Sequence, residues 1–300
     1  MGPLHRAAFR VLCTLGAPVG GVRPRRLYHW LAQRGYGGTP VRASDFRWHR
    51  DRWGHRFLLH PFYFIDRQII AFGSNHLDLL RFLRTLLRPG MICLDVGANL
   101  GQFTVHMASL VGPAGRVLAF EPLPHVAERL RGHVAANGVG DVVEIHGVAL
   151  SNANGSCVFH HGDAQIENQG LASLLDQRHP DLSQQTEVET VRLDDFVERH
   201  GIARIDCMKI DIQGAEPLLL EGAARTLTRM GPDLFVEVSP LDLRPLGLTP
   251  SDLLGRLEQL GYRMFEIAGG RLGLALRASD VSPDYYATNV YCTKRDPSAN

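Results

Sequence analysis

The feature that most constrains this 300-residue chain is an alternation of strand-like and helix-like segments beginning at residue 92. "ICLDVGAN" (92–99) reads as a strand running into a glycine turn. "LGQFTVHMASLVG" follows as a helix with Phe103, Met107 and Leu110 on one face. "RVLAFEP" (116–122) is a second strand, "HVAERLRGHVAANG" a helix stopped by Asn137-Gly138, and "VVEIHGVALS" a third strand. An irregular stretch at 152–190 predicts an insertion of loops and short strands. The alternation then resumes with "IDCMKID" (205–211), a helix at 216–229 and "DLFVEVSP" (233–240). A helix opened by Thr249-Pro250 comes next, then "YRMFEI" and "TNVYCTK". Such a series specifies an α/β fold, a doubly wound, mostly parallel sheet covered on both faces. Seven strands are expected in a Rossmann-like plan. The last two, joined by a long loop, form an antiparallel edge pair.

Ahead of this series, "NHLDLLRFLRTLLR" (75–88) carries a leucine stripe at helical spacing, stopped by Pro89-Gly90. Residues 1–60 read as a basic N-terminal extension, and 61–297 as the main domain. The extension holds eleven arginines against Asp45 and Asp51, a charge of +9, while the remainder carries −8. A basic head on an acidic body suits an anionic partner or peripheral contact with a membrane surface. A solvated arm packing on the acidic body fits as well. The first 21 residues contain arginine and no acid but lack a clear cleavage site, so they are expected as a surface-helical or poorly ordered terminus. The overall charge of +1 gives no reason to invoke nucleic acid, and no apolar run approaches a transmembrane length of about 18 residues. The five cysteines, Cys13, Cys93, Cys157, Cys207 and Cys292, are odd in number and scattered, which predicts a reducing, cytoplasmic setting and no zinc site.

The turn "LDVGANLG" (94–101) lies where doubly wound sheets bind ligands. Its glycines are Gly97 and Gly101, with Asn99 between them, and not the G-x-G-x-x-G that lets a backbone meet a pyrophosphate. Asp95 stands just before the turn. A carboxylate there repels a pyrophosphate but suits a cationic amino or sulfonium group, and S-adenosylmethionine (SAM) carries both. Glu121 ends the second strand, where an acid accepts hydrogen bonds from ribose hydroxyls. The plain alternatives are a turn cap for Asp95 and a solvated strand end for Glu121. An NAD(P)-dependent oxidoreductase and a non-catalytic binding module are the competing functions.

In order and spacing, the blocks "IDRQIIAFGSNHLDLLRFLRTLLRPGMICLDVGANLGQFT", "AFEPLPHVAERLRGHVAANG", "VALSNANG", "VRLDDF", "IDCMKIDIQGAE" and "FVEVSP" resemble the FkbM-type SAM-dependent methyltransferases. The resemblance covers about residues 65–270. It implies a class I methyltransferase fold with SAM as cofactor. It also implies methyl transfer to an oxygen of a sugar, a lipid-linked glycan or a polyketide-type metabolite. Carried over residue by residue, it implies that Asp95, Gly97, Asn99 and Gly101 form the SAM loop and Glu121 holds the ribose. It also implies that the turn at residues 148–151, Ala149 included, borders the adenine. The family often has Glu where this chain has Gln213, which makes Gln213 a poor general base.

In such a sheet the fourth strand lies beside the first. The alternating Lys209, Asp211 and Gln213 then line the crevice where the topology switches. Asp211 is the first candidate to position or deprotonate an acceptor hydroxyl, with Lys209 as its counter-ion and Glu237, at the end of the fifth strand, as a second acid. Asp211 and Glu237 have the donor chemistry for a divalent cation, but a hydrogen-bonded acid pair is the simpler reading, so no metal is expected. His160-His161 are expected as a surface pair, and His106, His133 and His146 as structural. The acceptor, a small molecule or glycan, is expected to meet residues 152–190.

Overall fold

The computed structural model describes residues 41–162, 172–173 and 184–296, so the first forty residues of the basic extension lie outside the described residues. It divides into two compact units.

The first unit takes in the described residues 41–75. Strand β1 (Arg47–Arg50) pairs antiparallel with β2 (Arg56–Leu59), and helix α1 (Phe64–Phe72) follows. The Asp51 carboxylate accepts the Trp53 and His55 backbone N–H groups and so fixes the hairpin turn. Buried Asp66 of α1 accepts the N–H of His60, tying helix to hairpin.

The second unit, His76–His161 and Leu171–Asn300, holds the alternating elements. In chain order these begin with α2 (Leu77–Leu86), β3 (Ile92–Val96), α3 (Gln102–Val111), β4 (Arg116–Phe120), α4 (Pro124–Ala136) and β5 (Val143–His146). Then come β6 (Ala149–Leu150), β7 (Gly155–His161), β8 (Ala172–Ser173), β9 (Gln184–Val191), α5 (Leu193–Arg199) and β10 (Cys207–Ile210). The chain continues with α6 (Glu216–Gly222), α7 (Ala224–Met230), β11 (Asp233–Val238), α8 (Pro240–Leu243) and α9 (Pro250–Gln259). It closes with β12 (Arg263–Ala268), β13 (Arg271–Leu276) and β14 (Ala287–Thr293). The main sheet runs β13-β12-β14-β11-β10-β3-β4-β5. Its five strands from β5 to β11 pair in parallel, whereas β14 pairs antiparallel with both β11 and β12. This is the doubly wound, mostly parallel α/β sheet that the alternation specifies. Thr249 caps α9 through a capping box with Asp252, as the Thr-Pro start implied.

Three details differ from the sequence expectation. The sheet has eight strands, because residues expected as a long loop turn at Gly269-Gly270 and return as β13. Leu272 and Leu274 of that edge strand are exposed, so no buried apolar face marked it. The third strand breaks after His146: β5 stays in the main sheet, while β6 pairs with β9 in a four-stranded sheet ordered β6-β9-β7-β8. The helix expected at 216–229 is two helices. They part beside Gly222, where a Cβ would run into the Ser151 carbonyl.

Period two divides the two faces of the main sheet. Leu94, Val96, Leu118, Phe120, Met208, Ile210, Leu234 and Val236 share one continuous core with α5, α6, α7 and α9. On the other face, Phe82 of α2 sits edge-on to Tyr291 (5.0 Å) and Phe235 (5.9 Å). Lys209 belongs to that second face. Met208 and Ile210, fully buried, each contribute about 2 kcal/mol by leaving water. Together that is comparable with the several kcal/mol that burying an ammonium costs.

Candidate active site

The turn after β3 is built by backbone constraints. Gly97 (φ 76°) and Gly101 (φ 89°) both lie in the left-handed region. A Cβ on Gly97 would run into the carbonyl oxygen of Asp211, and one on Gly101 into the buried side chain of Leu130. The glycines therefore bring the first turn against the exit of β10 and against α4 at once. Asn99, between them, is also left-handed (φ 50°), and its side chain accepts the N–H of Leu100. The Gly97 and Ala98 N–H groups donate to the carbonyl of Phe120, joining the turn to the end of β4.

Glu121 continues that join. Its carboxylate accepts the N–H of Asn99 (2.9 Å) and of Leu123 (3.0 Å). Burial pushes its pKa up to about 7, against the pull of those two backbone donors. Asp95 is fully buried. Its Oδ2 accepts the Thr104 hydroxyl (2.6 Å), while its Oδ1 has no hydrogen-bond partner among the described residues. Burial raises its pKa, and the Lys209 charge opposes the rise.

Lys209 lies directly opposite Asp95 in the β3–β10 register. Its ammonium is 2% exposed, 3.0 Å from Asp211 Oδ2, and 4.8 Å from the centre of the Phe103 ring on α3. Burial works against its charge, but Asp211, Asp95 and Glu237 outweigh that and raise its pKa. Asp211 shows the converse balance: burial opposes ionisation, yet Lys209 and a hydrogen bond with Glu237 hold its pKa well below the ordinary carboxylate range. Glu237 is driven the other way, by burial first and by Asp211 second, which hold its pKa well above the ordinary carboxylate range. Gln213, left-handed at φ 53°, ties the pair together: its amide donates to Asp211 Oδ1 (3.1 Å) and to Glu237 Oε2 (2.9 Å). A register shift in the β11–β14 ladder falls at Glu237, between Val236 and Val238, where a bulge can re-aim a side chain.

The structure thus gathers Lys209, Asp211, Gln213 and Glu237 at the carboxyl ends of β10 and β11. Asp95, Gly97, Asn99, Gly101 and Glu121 stand beside them at the ends of β3 and β4. Ala149 stands apart: it opens β6 and packs with Leu123, Val126, Phe159 and Val188. His106 and His133 are buried within α3 and α4, with the His133 ring donating to the carbonyl of Leu100 (2.6 Å). His161 is a correction to the surface pair. It is 8% exposed, bonded to Thr186 (2.9 Å), with its ring 5.5 Å from that of His125.

Two residues that sequence patterns do not single out also reach this group. Tyr286 immediately precedes β14, whose first residue pairs with Val238, and so stands at the same sheet end as Glu237. Its ring is 56% exposed, and burial of its hydroxyl, Glu237 and Asp211 push that group up to about 12. His76 precedes α2; burial lowers its pKa, while the nearby Asp211 raises it and Lys209 lowers it.

These acceptors fit a nucleoside that carries a cationic amino-acid portion. Among the described residues Asp95 Oδ1 is a buried acceptor without a partner, and Glu121 retains acceptor capacity beyond its two backbone bonds. The first turn carries no lysine or arginine for a phosphate.

Comparison with known proteins agrees with this chemistry. The model of the methyltransferase FkbM domain matches residues 95–264. The chain is 32% identical over 167 residues to the 2-O-methyltransferase NoeI of Sinorhizobium fredii, covering 52% of this chain and 67% of that protein. It is 30% identical over 158 residues to the 31-O-demethyl-FK506 methyltransferase FkbM of Streptomyces tacrolimicus, covering 45% of this chain and 60% of the relative. The chain therefore spans between three fifths and two thirds of the length of these relatives. Among solved structures, methyltransferase FkbM from Methylobacillus flagellatus is 17% identical, with a TM-score of 0.42, covering 96% of this chain and 59% of that one.

Proposed function

The chain belongs to the FkbM methyltransferase family, with S-adenosylmethionine as its cofactor, and from that premise we propose that it methylates a hydroxyl oxygen. The acceptor class is a sugar, glycan or polyketide-type small molecule. The observation that carries this reading is the Lys209–Asp211–Gln213–Glu237 group, held against the Gly97 turn at the carboxyl ends of adjacent strands. Two relatives whose names specify O-methylation support the choice of oxygen.

When bound, SAM supplies an electrophilic methyl carbon on a sulfonium; the remaining work falls to the protein. Glu121 holds ribose hydroxyls with the acceptor capacity its backbone bonds leave free. Asp95 offers an unpartnered oxygen to a cationic group beside the turn. Asp211, kept ionised by Lys209, would accept a hydrogen bond from the acceptor hydroxyl and orient its oxygen; such orientation is where much of the rate in a displacement arises. Hydrogen bonds from Glu237 and the Gln213 amide hold Asp211 in place, so its position survives the arrival of the acceptor. The four described cysteines, Cys93, Cys157, Cys207 and Cys292, are free. Among the described residues no helix is long and apolar enough to cross a membrane.

The test has two stages. Calorimetry with S-adenosylhomocysteine should give a saturable heat, and labelled SAM should transfer its methyl to hydroxyls in a pool of methyl glycosides and polyketide alcohols. Transfer to amines in preference to hydroxyls would overturn the oxygen assignment.

A further inference from the structure

Three non-glycine residues take up the left-handed backbone conformation among the described residues: His76, Asn99 and Gln213. Two of them shape the site directly. A left-handed conformation costs a non-glycine residue about 1 kcal/mol and persists where surrounding structure fixes it. His76 pays that cost at φ 52°, at the residue immediately before α2. Its ring lies 6.2 Å from that of Phe103, and Phe103 carries the Lys209 ammonium 4.8 Å from its centre. The imidazole and the Lys209 ammonium thus lie against one aromatic ring, with Asp211 3.0 Å from that ammonium. It is half-buried, and no described residue hydrogen-bonds either of its nitrogens.

We propose that His76 is the group that takes the proton from the acceptor hydroxyl, while Asp211 orients that hydroxyl. This rests on the O-methyltransferase reading and assigns a step that reading leaves open. The acceptor oxygen uses a lone pair to form the new carbon–oxygen bond as the donor's carbon–sulfur bond breaks, its electron pair remaining on sulfur. The hydroxyl proton passes to an unbonded imidazole nitrogen. Positive charge leaves the sulfonium and appears on the imidazolium, so charge is conserved. Asp211 is too weakly basic to hold that proton, whereas its negative charge stabilises an imidazolium nearby. The charged groups acting on the ring are Asp211 and Lys209, and α3 presents only uncharged Phe103. Burial lowers the His76 pKa, Asp211 raises it, and Lys209 lowers it. The free imidazole is therefore neutral at neutral pH. The N-terminus of α2 beside it acts in the same direction.

The test uses the full chain saturated with S-adenosylhomocysteine, and His76→Asn, because asparagine tolerates the left-handed backbone. In the wild type, NMR titration of labelled histidine should place His76 below the ordinary value of about 6.5, and Asp211→Asn should lower it further. A His76 that titrates at or above that value, unmoved by Asp211→Asn, overturns the proposal. In single-turnover transfer from labelled SAM to pooled methyl glycosides, His76→Asn should slow transfer about 100-fold or more, with affinity for S-adenosylhomocysteine within about twofold. Transfer slowed less than about threefold overturns it. If the wild type binds S-adenosylhomocysteine but labels none of the pool, the glycoside reading of the acceptor fails, and the titration alone decides the role of His76.

Discussion

Strand β9, Gln184–Val191, and strand β10, Cys207–Ile210, are successive strands along the chain, and each turns polar side chains to one face: Gln185, Glu187 and Glu189 in β9, Lys209 in β10. In β9 the polar set, Gln185, Glu187 and Glu189, is exposed, while Val188 packs inward with Phe159 and Ala149. In β10 every residue is buried, and the polar Lys209 is covered by the Phe103 ring and matched by Asp211. One period-two pattern therefore serves a half-solvated strand and a strand buried on both faces. The difference lies in what covers the polar face: water in the small sheet, a helix in the large one. A polar residue under a helix needs its charges matched, and those matched charges form the chemical group at the strand end.

The contrast should break first at Lys209. Lys209→Met removes the cation between Asp211 and Asp95 and should cost about 3 kcal/mol of stability in urea denaturation; a loss below about 1 kcal/mol would place Lys209 on a wetter face than the structure gives it. Next in size, Glu121→Ala removes a buried acceptor, and affinity for S-adenosylhomocysteine should fall at least about tenfold by calorimetry, the worth of one or two hydrogen bonds to a charged group. A smaller effect concerns Glu216, at the start of α6, whose carboxylate accepts the N–H of Ile212 and which burial pushes up to about 8. Its folded value lies above its unfolded one, so its contribution is full below about pH 4.5 and is lost as pH rises through about 8. Glu121, pushed up to about 7, acts in the same sense. Melting temperature should therefore fall across that window in the wild type and fall less in Glu216→Gln. The smallest change belongs to β9: Glu187→Gln and Glu189→Gln should each alter stability by no more than about 0.5 kcal/mol.

Much of this was legible from residue order. The alternation from residue 92 gave all but one strand of the main sheet, because buried parallel strands and amphipathic helices each write a strong period. Asp95, Gly97, Asn99, Gly101 and Glu121 were legible because a turn at a strand end restricts both backbone and charge. His76 was not, since a lone histidine before a leucine stripe looks like any turn residue, and its neighbours come from β10 and α3. Strand β13 was hidden by its exposed leucines. The opposite pKa shifts of Asp211 and Glu237 depend on burial and on a hydrogen bond across two strands, which no local pattern encodes.

The account rests on the polar wall of β10 facing the transferred methyl group, and a structure of the complex with S-adenosylhomocysteine tests that without any acceptor. The ribose hydroxyls should lie at hydrogen-bond distance, about 2.7 Å, from Glu121. The sulfur should lie at the mouth shared by Gly97, Asp211 and His76. A nucleoside bound away from Glu121, or a sulfur directed to the sheet face that packs on α5 and α6, would contradict it.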